Sequence, residues 1–205
     1  MCLGSPYHDR MDDDTAILDA ILEEHLAAAV ATRAHLLPTI VELARQICDA
    51  LDAGGKLIVF GNGGSAADAQ HFAAELAGRF HRPRRALPAM ALTTNSSTLT
   101  AIANDFSYDD IFERQVEAFC GPADVVVGLS TSGGAESVAR GLRAARQLGA
   151  RTWALTGATG GPVGDAAEHG LRVPSTVTAR IQEMHITIIH GISELVDRHV
   201  AGAQP

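Results

Sequence analysis

The sequence predicts an α/β fold, a three-layer arrangement of a five-stranded parallel sheet between helices, with a helical arm in front. Three observations carry this. Short apolar runs at 57–60, 88–92, 125–129, 152–155 and 171–173 alternate with segments of helical period. The run 125–129 is continuously apolar, as expected of a strand covered on both faces. Before the first of these runs lie some forty residues with helical periodicity.

Taken in order, residues 1–11 read as a loose tail. Ile17, Leu18, Ile21, Leu22, Leu26 and Val30 then follow helical spacing through residue 35. Pro38 suits the first turn of a second helix, whose apolar face is Ile40, Val41, Leu43, Ala44, Ile47 and Leu51, and Gly54-Gly55 ends it. Two such helices exceed what one α/β domain needs. They are expected to form an arm (1–53) that packs on another subunit as a helical bundle, an intramolecular cover being the alternative. Residues 54–205 form the remainder of a single structural domain. In it, strand 57–60 leads to a helix at 66–79, and strand 88–92 to a helix ending near 104. A helix at 109–119 precedes strand 125–129, and a turn at 130–134 precedes a helix at 135–148 stopped by Gly149. Two strands and a long final helix, 177–200, complete the chain. Parallel strands with right-handed crossovers follow.

The totals restrict function. With 205 residues, 46% apolar and 20% charged, the chain suits a globular domain with a sizeable core. A formal charge of −8 speaks against nonspecific nucleic-acid binding and against a polybasic membrane patch. Cys2, Cys48 and Cys120 are scattered without metal-ligand spacing and read as reduced thiols. No signal-peptide core and no uninterrupted run of about 18 apolar residues is present, so the cytoplasm is the expected compartment. Lys56 is the only lysine. It opens the first strand, opposite the end where α/β sheets bind ligands, so a structural role is expected and lysine Schiff-base chemistry is excluded.

The chemistry concentrates after the first strand, in Gly61-Asn62-Gly63-Gly64-Ser65 and the helix that follows. A strand, a glycine-rich turn and a helix aim backbone N–H groups and the positive helix end at an anion. Ser65 is expected to cap the helix, with Asp68 completing a capping box. His71 and Glu75, four apart, share one face just beyond that cradle. Leu129-Ser130-Thr131-Ser132-Gly133-Gly134 repeats the arrangement with three hydroxyls, which bind phosphate without a cation. Gly-x-Gly-x-x-Gly spacing and a Walker lysine are both missing, which counts against dinucleotides and nucleoside triphosphates. The last helix embeds Gln182, His185 and His190 among apolar residues. Gln182 and His190 lie about 12 Å apart along a regular helix, so one shared metal requires a stretched helix or two subunits. A core histidine bonded to a carbonyl is the alternative for His190.

These segments, together with Asn104-Asp105-Phe106 and Arg180-Ile181-Gln182-Glu183-Met184-His185-Ile186, resemble the phosphoheptose isomerases of the sugar isomerase (SIS) superfamily. The resemblance implies a flavodoxin-like SIS fold, a homotetramer with sites between subunits, and one zinc ion per subunit. The zinc ligands it implies are His71, Glu75, Gln182 and His190. Substrate contacts carry over to Asn62, Gly63, Gly64, Ser65, Glu75, Asn104, Asp105, Ser130, Thr131, Ser132 and Gln182. The implied activity converts D-sedoheptulose 7-phosphate to D-glycero-D-manno-heptose 7-phosphate; moving a proton between C1 and C2 through an enediol needs a base and an acid, and the expected pair is Glu75 as base and His190 as acid. The chain departs from the family pattern at Ala135, where a hydroxyl is usual and Ser137 is the nearest substitute, and at Ala179, where many members carry Asp. The alternatives are a non-catalytic SIS protein that binds the replication initiator, or an isomerase or lyase of another sugar phosphate.

Overall fold

The structure, a computed structural model, describes the backbone of residues 6–202 and the side chains of residues 13–202. Its elements are α1 (Pro6–Asp52), β1 (Leu57–Gly61), α2 (Gly64–Ala77), β2 (Ala89–Ala91), α3 (Ser96–Asp105), α4 (Glu113–Phe119), β3 (Val125–Ser130), α5 (Glu136–Gln147), β4 (Arg151–Thr156), α6 (Gly161–Ala166), β5 (His169–Arg172) and α7 (Thr178–Gly202). The five strands pair in parallel in the order β2-β1-β3-β4-β5. This is the flavodoxin-like order. β1 and β3 are buried along their whole length, so their alternate side chains feed two cores. Val59, Val127 and Leu129 meet Phe72 and Leu76 of α2, Ile181 and Ile188 of α7, and Leu43 and Ile47 of α1. Ile58, Phe60 and Val126 meet Ile102, Phe112, Val116, Val138, Leu142 and Val163 on the opposite face. Helix, sheet, helix is the expected three-layer arrangement.

The arm differs from expectation. Residues 6–52 form one helix of 47 residues with Pro38 inside it, rather than a tail and two helices; residues 1–5, with Cys2, lie outside the described residues. The fixed φ of proline is helical, so Pro38 costs one hydrogen bond and some crowding of the preceding turn. The turns after it bury Ile40, Leu43, Ala44, Ile47 and Leu51, each contributing roughly 1–3 kcal/mol, and that holds the helix straight through. The N-terminal turns leave Ile17, Leu18, Ile21, Leu22 and Leu26 exposed. Although no uninterrupted apolar run is present, the segment 13–52 is long and apolar enough to cross a membrane by composition alone. This criterion is weak, since signal sequences and packed helices also meet it.

Two smaller differences lie elsewhere. The helix expected at 109–119 divides into a 3-10 turn, Tyr108–Asp110, and α4. The short α6, absent from the sequence reading, has only six residues and two glycines. Lys56 behaves as expected. Its ammonium lies 2.7 Å from the buried carboxylate of Asp124, whose other oxygen accepts the Lys56 N–H at 2.9 Å.

Candidate active site

The chain leaves β1 toward the edge strand β2 and then crosses back over β1 to β3, so the order in which strands are added reverses between β1 and β3. Ligands of open α/β sheets enter the crevice at such a point. Gly61 and Leu129 are paired there, which brings the two glycine-rich loops side by side.

In the first loop, Gly63 adopts φ 56° and ψ −122° and α2 begins at Gly64. No side chain caps this helix. The expected capping box is therefore corrected. Glycine's freedom at positive φ turns the chain into the helix two residues early, leaving Ser65 buried inside the first turn. Asp68 caps nothing either. One of its carboxylate oxygens is buried without a partner, and burial raises its pKa. The uncapped first turn leaves N–H groups available to an anion.

The second loop is pinned from behind. Gly133, at φ 72°, accepts the Val163 N–H at 2.9 Å through its carbonyl, and its N–H donates to Ser130 O at 3.1 Å. Ser132 Oγ accepts the Gly134 N–H at 3.2 Å. Asn62 ties the first loop to α5 and to the 3-10 turn, donating to Ser137 Oγ at 3.0 Å and accepting from the Tyr108 hydroxyl at 3.0 Å. Ser137 is buried, so its hydroxyl supports Asn62 behind the loop. No motif or spacing pointed to Tyr108. Asn104 and Asp105 end α3, just ahead of the Tyr108 turn, with the Asn104 amide donating to Asp105 Oδ1 at 2.8 Å.

Beyond the first loop, His71 Nε2 lies 3.0 Å from Glu75 Oε1 and 3.0 Å from His190 Nε2. One ligand atom from each of the three falls within 4.8 Å of the others, a cluster able to hold a divalent metal. The core-histidine reading therefore passes from His190 to His185, which is buried with Nε2 3.4 Å from the Thr156 carbonyl. α7 is an α-helix throughout, so it needs no stretching. It runs beside α2 in the same direction. Gln182 lies so close to Gly64 that a Cβ there would meet Gln182 Nε2 at 2.2 Å, and His190 lies beside His71 about two turns later. Regular helix spacing thus places Gln182 at the anion loop and His190 at the metal-capable cluster.

A sheet with two glycine-rich loops at its switch point and a His–Glu–His cluster behind one of them has the makings of a site for a phosphorylated ligand and a divalent metal. The SIS domain family matches residues 22–157. A phosphoheptose isomerase from Aquifex aeolicus is 56% identical over 161 residues, covering 78% of this chain and 84% of that protein. A probable phosphoheptose isomerase from Thermoplasma volcanium is 51% identical over 179 residues, covering 87% and 91%. The solved structure of the phosphoheptose isomerase from Neisseria gonorrhoeae superposes with a TM-score of 0.84 at 40% identity, covering 89% of this chain and 98% of that one. The chain belongs to the SIS domain family and, within it, to the phosphoheptose isomerases.

Proposed function

We propose that the protein converts D-sedoheptulose 7-phosphate to D-glycero-D-manno-heptose 7-phosphate. The observation that carries this reading is the convergence of His71, Glu75 and His190 beside two phosphate-binding loops in one chain. The same convergence disfavours a non-catalytic scaffold, which has no use for it.

The seven-carbon sugar is held by its phosphate on the backbone N–H groups of Asn62–Ser65 and on the hydroxyls of Ser130, Thr131 and Ser132, with Asn104, Asp105 and Gln182 along the chain of hydroxyls. Glu75 removes the C1 proton while His190 delivers a proton to O2, giving the enediol. Glu75 then returns its proton to C2 as O1 loses its own to His190, which balances the reaction. Glu75 is the residue whose two duties compete, since a tightly bound carboxylate is a weak base.

We infer that the cluster holds zinc, with His71, Glu75 and His190 of one chain as donors; since Gln182 lies at the anion loop of its own chain, the fourth donor is Gln182 supplied by a neighbouring subunit. Bonds of about 2.0 Å in a tetrahedron separate neighbouring donor atoms by roughly 3.3 Å. The two 3.0 Å separations here are near that value, and nitrogen with carboxylate oxygen is a donor set zinc accepts. When bound, zinc supplies Lewis-acid polarisation of the sugar's carbonyl and hydroxyl oxygens. We further infer a homotetramer joined through an arm of residues 1–53, with active sites between subunits; the exposed apolar row on α1 supports it. The catalytic SIS domain is then residues 54–205. The cytoplasm is the proposed compartment, in keeping with free Cys48 and Cys120, whose thiols burial pushes up to about 11.

Purified protein incubated with sedoheptulose 7-phosphate, with zinc and with a chelator, tests this by NMR of the sugar. Aldoheptose phosphate is expected only where zinc is present. Glu75→Gln is expected to lower kcat by about 10²–10⁴. No product with any divalent metal, or full turnover by Glu75→Gln, overturns the reading.

A further inference from the structure

We propose that the buried Arg84–Asp197 pair is a positioning device for the His71–Glu75–His190 centre, fixing the helix that carries Glu75 to the helix that carries His190. The inference rests on the reading of that cluster as a metal and catalytic centre.

α2 ends two residues after Glu75, and the carbonyls of a helix's last turn have no partners within the helix. Arg84, on the loop beyond α2, folds back over that end. Its Nη2 donates to the carbonyl of Glu75 itself at 2.7 Å, and its Nη1 donates to the Leu76 carbonyl at 2.9 Å. Its Nε meets Asp197 Oδ1 at 2.5 Å. The two side chains are 1% and 0% exposed, so water does not loosen the pair. Asp197 lies on α7 seven residues after His190, two turns along the same helix. A fork of fixed planar geometry thus joins the backbone of Glu75 to the helix that presents His190.

The other oxygen of Asp197 accepts the backbone N–H groups of His81 and Arg82, at 3.0 Å and 2.6 Å. That fixes the loop bearing Phe80, whose ring lies 5.8 Å from the His190 ring at 30°. One carboxylate therefore holds both the end of α2 and a wall of the metal cluster. Along the seam between α2 and α7, Gln182 meets Gly64 and His190 meets His71 through side chains at the site, and Arg84–Asp197 is the deeply buried closure of the far end. Groups that orient metal ligands from outside the coordination sphere change affinity by about 10–100-fold when lost.

Asp197→Asn keeps the shape but removes the charge facing Arg84, and Arg84→Lys keeps the charge but cannot fork onto the Glu75 and Leu76 carbonyls. Each full-length variant is stripped of metal, and its Kd for zinc is measured by competition with a chromophoric chelator well below its melting temperature. Kinetics with sedoheptulose 7-phosphate follow at fixed free zinc. The expected result is a Kd weakened about 10–100-fold in both variants, with kcat falling at limiting zinc and KM for the sugar phosphate within about twofold. If Asp197→Asn fails to fold, Arg84→Lys decides. A variant of native circular dichroism with lowered melting temperature but wild-type zinc Kd and kcat makes the pair merely structural and overturns the inference. A wild-type chain that binds no zinc overturns instead the reading of the centre on which it rests.

Discussion

His185 and His190 sit five residues apart on α7 and have opposite fates, because five residues at 100° each turn the helix through well over a quarter circle. His190 meets His71 at the site, whereas His185 is 0% exposed with Nδ1 unpartnered. Burial pushes the His185 pKa down to about 4, against the weaker opposing effect of the Thr156 carbonyl. The unfolded chain takes up this proton as pH falls through about 6.5, whereas the folded chain takes it up only near 4. Stability is therefore complete above about pH 6.5 and declines as pH falls toward 4, by about 3 kcal/mol in all from this one group. Urea titrations of the metal-free protein from pH 7 to pH 4 are expected to show that loss, and His185→Leu to flatten it. A His185→Leu protein with the same pH slope would refute the assignment. Spacing made His71 and Glu75 legible as a pair, since four residues always share a helix face. It did not separate His185 from His190, because both lie among isoleucines and only the packing of α7 on α2 and the sheet distinguishes them. Asp197 carried a faint signal: a charge in the stripe formed by Ile189, Ile192, Val196 and Val200, where a carboxylate needs a buried partner. Its partner, more than a hundred residues away in a loop, was invisible to any local pattern.

At the scale of elements, the strands and the larger helices were readable, since apolar runs bounded by glycine allow few alternatives. What failed were features set by backbone conformation or by packing at a distance. Ser65 looked like a cap until Gly63 turned the chain early, and Pro38 looked like a helix start until the buried turns after it carried the helix through. α6 is held by contact with the second loop, through Val163 N–H on the Gly133 carbonyl, rather than by its own propensity. That contact makes Gly133 the most demanding position among the loops. At φ 72° a side chain is strained, and its Cβ would lie 2.0 Å from the carbonyl oxygen of Gly160, a backbone atom that cannot rotate aside. Gly133→Ala is expected to destabilise the protein by about 2 kcal/mol or more and to raise KM for the sugar phosphate, because Thr131 and Ser132 move with the loop. Gly63→Ala has a positive φ but open space around it, so it serves as the comparison for strain without collision. Equal urea midpoints for the two variants would show that the contact with Gly160 is not what fixes the loop.

For the whole molecule, the question is what covers α1. Its C-terminal turns pack on α7 and the sheet, yet Leu18 and Leu22 are each 61% exposed and Ile17 and Leu26 each 55%. The spacing 17, 18, 21, 22, 26 keeps these side chains on one face over more than two turns. Burying such a side chain contributes about 1.5–3 kcal/mol, so a row of them is a strong drive to association in a chain whose surface otherwise carries a net charge of −8. The face suits a second copy of the same helix, with its charged residues left at the rim. A tetramer of this 21.5 kDa chain built through α1 follows from the proposed bundle. Leu18→Glu with Leu22→Glu places four carboxylates at the centre of a twofold helix pair, where like charges repel without a partner. Light scattering is expected to find a mass near four chains for the wild type and one or two for the double variant. Because residues 13–27 are exposed apart from His25, and bond to α7 through the His25 ring and the Ile21 carbonyl rather than through Leu18 or Leu22, the double variant should keep its circular dichroism. Turnover is the discriminating readout. If sites lie between subunits, activity falls with the mass and returns when the double variant is forced together by crosslinking; a small species with full turnover would show that each chain carries a complete site of its own.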